Sequence, residues 1–342
     1  MNMTSGPDPG FTMGFEDIMG HERVKKILKK SLQKKKIPNS MLFCGPEGVG
    51  KRGMAFALAK AINCERKKDD ACEACSSCKA IDAGNHPDVM EIQPDGEVIK
   101  IEQMRTLRQV AYLKPMVGKK RIFIVDEAEK MTEEAANSLL KILEEPPLFS
   151  YIILVTQNPY LVTSTIKSRC QILNFPPVSS QDIEKILLDR GYEEEKARVI
   201  SLFVQGNLNK ALNLDWDEVQ AKREQAWELF YSLITKENLP FYLRNYAFSY
   251  RALVKEDWEQ LMEHLSSFCR DSILVKERGK GSLLMNPDYE EKINKAEMMV
   301  SLDWLMSCLQ KIDHAVYGLR KNLNVNLLVS AFFAHFKEWD YV

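Results

Sequence analysis

Between residues 41 and 175 the chain alternates short, continuous apolar runs with stretches whose apolar residues recur every three or four positions. The runs are Met41–Cys44, Val89–Ile92, Arg121–Val125, Tyr151–Thr156 and Gln171–Phe175. Strands spaced in this way by helical patterns predict an α/β fold, a parallel sheet with helices on both faces. Ahead of the first run, Val24, Ile27, Leu28 and Leu32 share one helical face, with Lys25, Lys26, Lys29 and Lys30 on the opposite side. Those lysines are expected to form a solvated face and not a DNA-binding patch, since no aromatic residues interleave with them to stack bases.

The pattern changes after Pro176 and Pro177. Ser180-Gln181-Asp182 reads as the capped start of a helix running towards Arg190, Glu193–Gln205 as a second helix, and Gly206–Leu212 as the start of a third. From Trp216 to Val342 the spacing is helical throughout, clearest in Trp227–Ile234, Trp258–Ile273 and Ala296–Leu319. Pro240 and the stretch holding Gly279, Gly281 and Pro287 read as loops. The expected organisation is a disordered tail at 1–13, an α/β core at 14–177, a small helical lid at 178–214 and an all-α domain at 215–342. No long internal repeat is visible.

At 342 residues the chain exceeds one ordinary core, and its 45% hydrophobic content is enough to bury two or three. Lys+Arg 47 against Asp+Glu 48 leaves a net charge of -1, which excludes a global field for nucleic acid or an anionic membrane. Any contact with DNA has to be local. No apolar run approaches the roughly 20 residues that span a bilayer, and no basic-then-apolar leader opens the chain, so a cytoplasmic location is expected.

Chemistry concentrates in three places. Gly45 to Lys51 spells GxxxxGK, with Gly45, Gly48, Gly50 and Lys51 directly after an apolar run and before a helical stretch. Backbone N–H groups of such a loop cradle phosphate at a helix N-terminus, and the lysine reaches the outer phosphates. The next position should carry a hydroxyl for Mg²⁺, but Arg52 stands there, a fixed positive charge that cannot ligate a cation. Asp126 and Glu127 end the third run, placed to hold Mg²⁺ and to polarise an attacking water; alone, such a pair is also any strand ending in acidic residues.

Four of the eight cysteines, Cys64, Cys72, Cys75 and Cys78, bunch in a polar insertion. Thiolates at this spacing suit a tetrahedral structural Zn²⁺, with a dithiol redox pair as the alternative. His86, close in sequence, is expected to be a loop residue with four cysteines already available. Cys170 lacks a paired histidine and is expected to be packed, not nucleophilic.

Taken together, Phe15-Glu16-Asp17-Ile18-Met19-Gly20, the loop at Gly45–Lys51, the four-cysteine insertion, His86-Pro87-Asp88, Asp126-Glu127, Leu139–Pro147 and Ser168-Arg169-Cys170 resemble the bacterial DNA polymerase III clamp-loader subunits, of the AAA+ class. These motifs cover the first half densely; the helical second half fits the family's lid and collar in length and class only. The resemblance implies a role in loading a sliding clamp on primed DNA, with tau/gamma and delta types of subunit as partners. It also implies that Arg169 acts in trans on ATP and Mg²⁺ held by a neighbouring subunit. ATP-hydrolysing relatives carry a hydroxyl after the loop lysine and an arginine in a lid motif beginning with Gly; here those positions are Arg52 and Asn209, with Lys210 beside it. The resemblance therefore implies a non-hydrolysing, stator-like member with a degenerate nucleotide site of its own. The alternatives are an active ATPase of the tau/gamma type and a non-replicative zinc-binding scaffold.

Overall fold

The three central strands of the sheet are buried along their whole length, as a sheet covered by helices on both faces requires. The computed structural model describes residues 14–237, 255–279, 284–321 and 323–337. The expected tail at 1–13 and the loop positions Pro240 and Gly281 lie outside the described residues. The strands are β1 (Ser40–Cys44), β2 (Val89–Ile92), β3 (Arg121–Val125), β4 (Ser150–Thr156) and β5 (Gln171–Asn174), within a residue of the apolar runs. All pair in parallel, in the order β2-β3-β4-β1-β5.

Alternation along the strands sorts side chains between two layers. Met41, Phe43, Ile122, Ile124, Ile153 and Val155 face one apolar layer, packed with α1 (Glu22–Gln33) and α2 (Lys51–Asn63). Leu42, Phe123, Val125, Ile152 and Leu154 face the other, packed with α4 (Ile101–Ala111) and α5 (Glu133–Glu144). Between α2 and α4 the short helix α3 (Ser76–Asp82) belongs to the cysteine-rich insertion. Truncating a fully buried residue such as Ile153 to Ala is expected to cost about 2–5 kcal/mol, transfer and cavity together.

Caps and prolines set the helix ends. Thr132 accepts from Ala135 N–H to start α5, with Glu133 and Glu134 in the first turn, and Pro146 and Pro147 follow its end. One lysine corrects the expected solvated face of α1. Lys25 is buried, donates to Ile18 O at 2.8 Å and pairs with Glu22, because the segment carrying the fully buried Phe15 folds back beneath the helix. Lys29 also pairs, with Glu16.

The chain forms two compact units. One holds the sheet and the residues up to 192, together with Val204–Leu212; the other holds Glu193–Phe203 and the residues from 213 onward. The segment 178–214 thus contributes α7 (Ser180–Asp189) and most of α9 (Leu208–Asn213) to the first unit and α8 (Glu194–Phe203) to the second. The short α6 (Ser164–Lys167) precedes β5.

In the second unit, α10 (Trp216–Thr235), α11 (Lys255–Arg278), α12 (Glu290–Glu297), α13 (Leu302–Arg320) and α14 (Val325–Lys337) surround one apolar core. The continuous spacing over Ala296–Leu319 hides a break: α12 ends at Glu297, and Ser301 accepts from Trp304 N–H to cap α13. Gly279, at φ 75, follows α11 and donates to Val275 O, a left-handed C-cap that a side chain would strain. Pro287 opens a 3₁₀ turn, Pro287–Tyr289, where a loop was expected. The buried Arg223 holds that turn by two bonds to Asp288, at 2.7 and 3.0 Å, and by Asn286 Oδ1. Among the described residues no helix is long and apolar enough to cross a membrane.

Candidate nucleotide and metal sites

β1 delivers the glycine-rich loop at its carboxyl end, and α2 begins at its last residues. Gly45 is required there: a Cβ would lie 2.1 Å from Phe175 O. Gly48 and Gly50 sit at φ 71 and 98, so their N–H groups can turn inward at the start of a 13-residue helix. His21 Nε2 lies 2.7 Å from Val49 O, and burial lowers the imidazole's pKa. The residues 204–212 close against this loop: Asn209 N–H donates to Gly48 O at 3.0 Å, and the Asn207 side chain occupies the space a Gly48 Cβ would need.

The sheet brings the separate motifs to one cavity of about 240 Å³, whose lining includes Gly48, Lys51, Arg52, Asp126, Glu127 and Asn209. Gly45 and Lys210 are not part of that lining. Lys51 is 5% exposed and donates to Pro46 O at 2.5 Å. Burial lowers its pKa, opposed by the nearby carboxylates of Asp126, Glu129 and Glu47. Arg52 forks onto Glu91 of β2, Nε to Oε1 at 2.5 Å and a terminal nitrogen to Oε2 at 2.9 Å, and its Nε lies 3.8 Å from Asp126. Burial raises the pKa of Asp126, against the Glu127 N–H and the Arg52 charge. Glu127, at φ 49, pairs with Lys130 at 2.9 Å.

Sequence reasoning missed Glu91 as the partner of Arg52. Its signal was a lone carboxylate in the run Val-Met-Glu-Ile. Asp88, quoted in the motif His86-Pro87-Asp88 but given no role there, is buried, accepts from the N–H groups of Met116, Val117 and Gly118, and pairs with Arg121 at 2.9 Å.

Arg169 lies outside the cavity lining, on the turn after α6. Its Nε donates to Glu144 Oε1 at 2.8 Å, and a terminal nitrogen donates to Thr165 O at 2.9 Å and Ser168 Oγ at 3.2 Å. The neighbouring Cys170 packs against the apolar layer, and burial pushes its thiol up to about 12, which leaves it inert at neutral pH.

The ligand atoms of Cys64, Cys72, Cys75 and Cys78 lie within 4.8 Å of one another. Four thiols gathered so closely can bind a metal ion, and soft sulfur donors in a set of four fit tetrahedral zinc. Backbone N–H groups of Lys67, Cys75 and Cys78 already point at Cys64, Cys72 and Cys75 sulfur, at 3.2 to 3.4 Å. Such donors stabilise thiolate. The Cys72 thiol is lowered to about 6 by N–H groups, whereas burial raises Cys78. The insertion is tied to α2 by the buried Lys60, which pairs with Glu73 at 2.7 Å and Asp82 at 2.8 Å. His86 stands in a loop, as expected, but is buried: it meets Ser77 Oγ and accepts from Asp88 N–H.

A phosphate loop after a central parallel strand, facing acidic residues that end a nearby strand, defines a P-loop nucleotide-binding core. Residues 20–179 match the family model described as DNA polymerase III, delta subunit. The chain is 30% identical over 308 residues to the DNA polymerase III subunit delta' of Bacillus subtilis (strain 168), covering 90% of this chain and 93% of that one. It is 35% identical over 211 residues to subunit tau of the same organism, covering 58% of this chain and 37% of that protein. A crystal structure of a DNA polymerase III gamma subunit-related protein from Thermotoga maritima aligns over 92% of this chain and 98% of that one, at 19% identity and a TM-score of 0.42. The chain belongs to the clamp-loader family of DNA polymerase III subunits.

Proposed function

We propose that this chain is the delta'-type, non-hydrolysing subunit of a clamp loader, lending Arg169 to ATP and Mg²⁺ bound by a neighbouring tau/gamma-type subunit. A delta-type subunit, the sliding clamp and primed DNA complete the assembly, in the cytoplasm. The observation that carries the reading is the placement of two arginines. Arg52 fills the magnesium corner of the chain's own cavity and is forked onto Glu91, so the parts that would serve ATP in cis are engaged with one another. Arg169 stands away from that cavity on a partly exposed turn. A guanidinium suits work in trans because its charge is permanent and its planar donors match a phosphoryl group losing its bond.

Asn209 supports the same reading, since a neutral amide in the cavity lining supplies no charge to a γ-phosphate. The four cysteines are assigned a structural Zn²⁺, with no open position for chemistry. The test is a reconstituted complex with tau/gamma and delta-type subunits, carrying Arg169→Ala. DNA- and clamp-stimulated ATP hydrolysis should nearly vanish while assembly survives; normal hydrolysis would remove the trans role. Magnesium-dependent, Lys51-dependent turnover by the isolated chain would favour an active tau/gamma-type ATPase instead.

A further inference from the structure

We propose that α1 and the cysteine-rich insertion together form a surface that holds the phosphate backbone of double-stranded nucleic acid without reading its sequence. The surface lies apart from Arg169 and does not depend on its role. Arg23, Lys26, Lys30 and Lys34 recur every three or four positions and are exposed, so they form one stripe along α1. That stripe runs about 16 Å, roughly half of one duplex turn. Lys35 and Lys36, also exposed, extend it around the end of the helix. The fold then adds cations from a distant part of the chain. Gln33 Nε2 donates to Asp69 Oδ2 at 2.9 Å, Lys29 Nζ lies 3.6 Å from Asp70, and Phe15 N–H donates to Asp70 Oδ1 at 2.8 Å, which docks the insertion beside the stripe. The exposed Arg66, Lys67 and Lys68, directly before Asp69, are thereby brought to the end of α1.

The charge on this face is not spent within the chain. Among the described residues, none of Lys30, Lys34, Lys35, Lys36, Lys67 and Lys68 forms an ion pair. The nearby carboxylates are already taken: Glu22 by Lys25, Glu16 by Lys29, and Glu65 by Ser76 Oγ and Ser77 N–H. The Glu16 carboxyl, lowered chiefly by its bond to Lys29, also feels Lys25 and Lys67, one from each element. Cations near a helix C-terminus offset its dipole, but that field fades within the last turn and leaves Arg23, Lys26 and the insertion unaccounted for. No large apolar side chain is exposed between 22 and 36 or between 64 and 70. A protein interface is centred on apolar or aromatic anchors, a stable membrane anchor needs apolar insertion, and a single strand needs aromatic platforms. A duplex stacks its own bases and offers about one negative charge per 1.7 Å of axis. The lack of aromatic residues among these lysines therefore counts against a single strand and leaves a duplex.

The experiment is fluorescence anisotropy of a labelled duplex DNA of about 20 base pairs, titrated with the full chain between about 50 and 200 mM salt. Wild-type affinity should fall about a hundredfold or more over that range and should not change with sequence. The triple variants Lys34→Ala/Lys35→Ala/Lys36→Ala and Arg66→Ala/Lys67→Ala/Lys68→Ala should each bind about tenfold or more weakly at about 100 mM salt, with a logarithmic salt slope shallower by about two to three. All six positions are exposed, so the unfolding temperature of both variants should match wild type. Lys185→Ala/Arg198→Ala/Lys295→Ala removes the same charge from exposed positions elsewhere and should stay within about twofold of wild type. Wild type that binds no duplex at about 50 mM salt, triple variants that bind as wild type does, or an equal loss in the charge-matched control would each overturn the proposal. So would tighter binding of a single strand of the same length, or phosphatidylserine vesicles that hold the wild type more tightly than duplex and lose it in the same two variants.

Discussion

Two arginines of the same unit each rest on a glutamate, yet their settings differ. Arg52 and Glu91 have side chains 24% and 11% exposed, and the carboxylate takes the fork with both oxygens. Arg169 and Glu144 are 32% and 49% exposed, and two of the three guanidinium nitrogens share one carboxylate oxygen. Water competes more for the second pair than for the first, chiefly at the glutamate, so the second is cheaper to exchange for another anion. An arginine locked inside its own cavity blocks chemistry there; an arginine on a solvated partner can leave it for a phosphate elsewhere. The buried pair Arg121–Asp88, at 5% and 0% exposure, marks the far end of the same scale.

The contrast breaks most decisively at Arg169. Replacing it by Ala should lower ATP hydrolysis by the reconstituted complex about 10³-fold or more, while Arg52→Ala should leave that rate near wild type. Equal losses from both variants would erase the distinction. In stability, Asp88→Asn should cost about 3–5 kcal/mol in urea unfolding of the full chain, because Arg121 is left buried without its charge partner.

The pH dependence of that variant supplies a sign. Burial would raise the Asp88 pKa, but three backbone N–H groups and Arg121 outweigh it and hold it below the ordinary aspartate value. Its stabilisation is therefore complete above an unfolded pKa of about 3.9 and is lost as pH falls through the lower folded value. The gap between wild type and Asp88→Asn should be constant near neutrality and narrow only below about pH 4. A gap that closes between neutrality and about pH 5 would show that Asp88 is not held ionised by these partners.

Glu91→Gln should fall between the extremes, at about 1–3 kcal/mol, since Arg52 keeps Asp126 nearby. Glu144→Gln should cost less than about 1 kcal/mol in the same unfolding assay. A cost at Glu144 matching that at Glu91 would mean that Arg169 is as firmly held as Arg52, which would undercut its availability to a neighbour.

Much of this was legible in the chain. The five apolar runs marked the strands to within a residue: β1, β3 and β4 are buried along their whole length, which keeps their runs apolar, and the runs stop short of β1 and β4 only at the polar Ser40 and Ser150. The loop at Gly45, the acidic pair and the four cysteines were readable from local spacing. Reading failed where one residue's role depends on a distant one. Lys25 fell on the polar side of α1 by periodicity, yet a segment folding beneath the helix buried it. The break before Ser301 was hidden by a hydrophobic period that runs straight through it.

By itself the sequence determined the elements, the phosphate loop, the missing hydroxyl at position 52 and the thiol cluster, since each depends on residues close along the chain. Only the tertiary structure decided what Arg52 does instead. β2 places Glu91 beside it although 39 positions separate the two, β3 lays Asp126 alongside, and the turn after α6 keeps Arg169 outside the cavity. Periodicity tells which face of an element is apolar. The partner of a buried charge is set by strand order, and strand order is a property of the folded sheet.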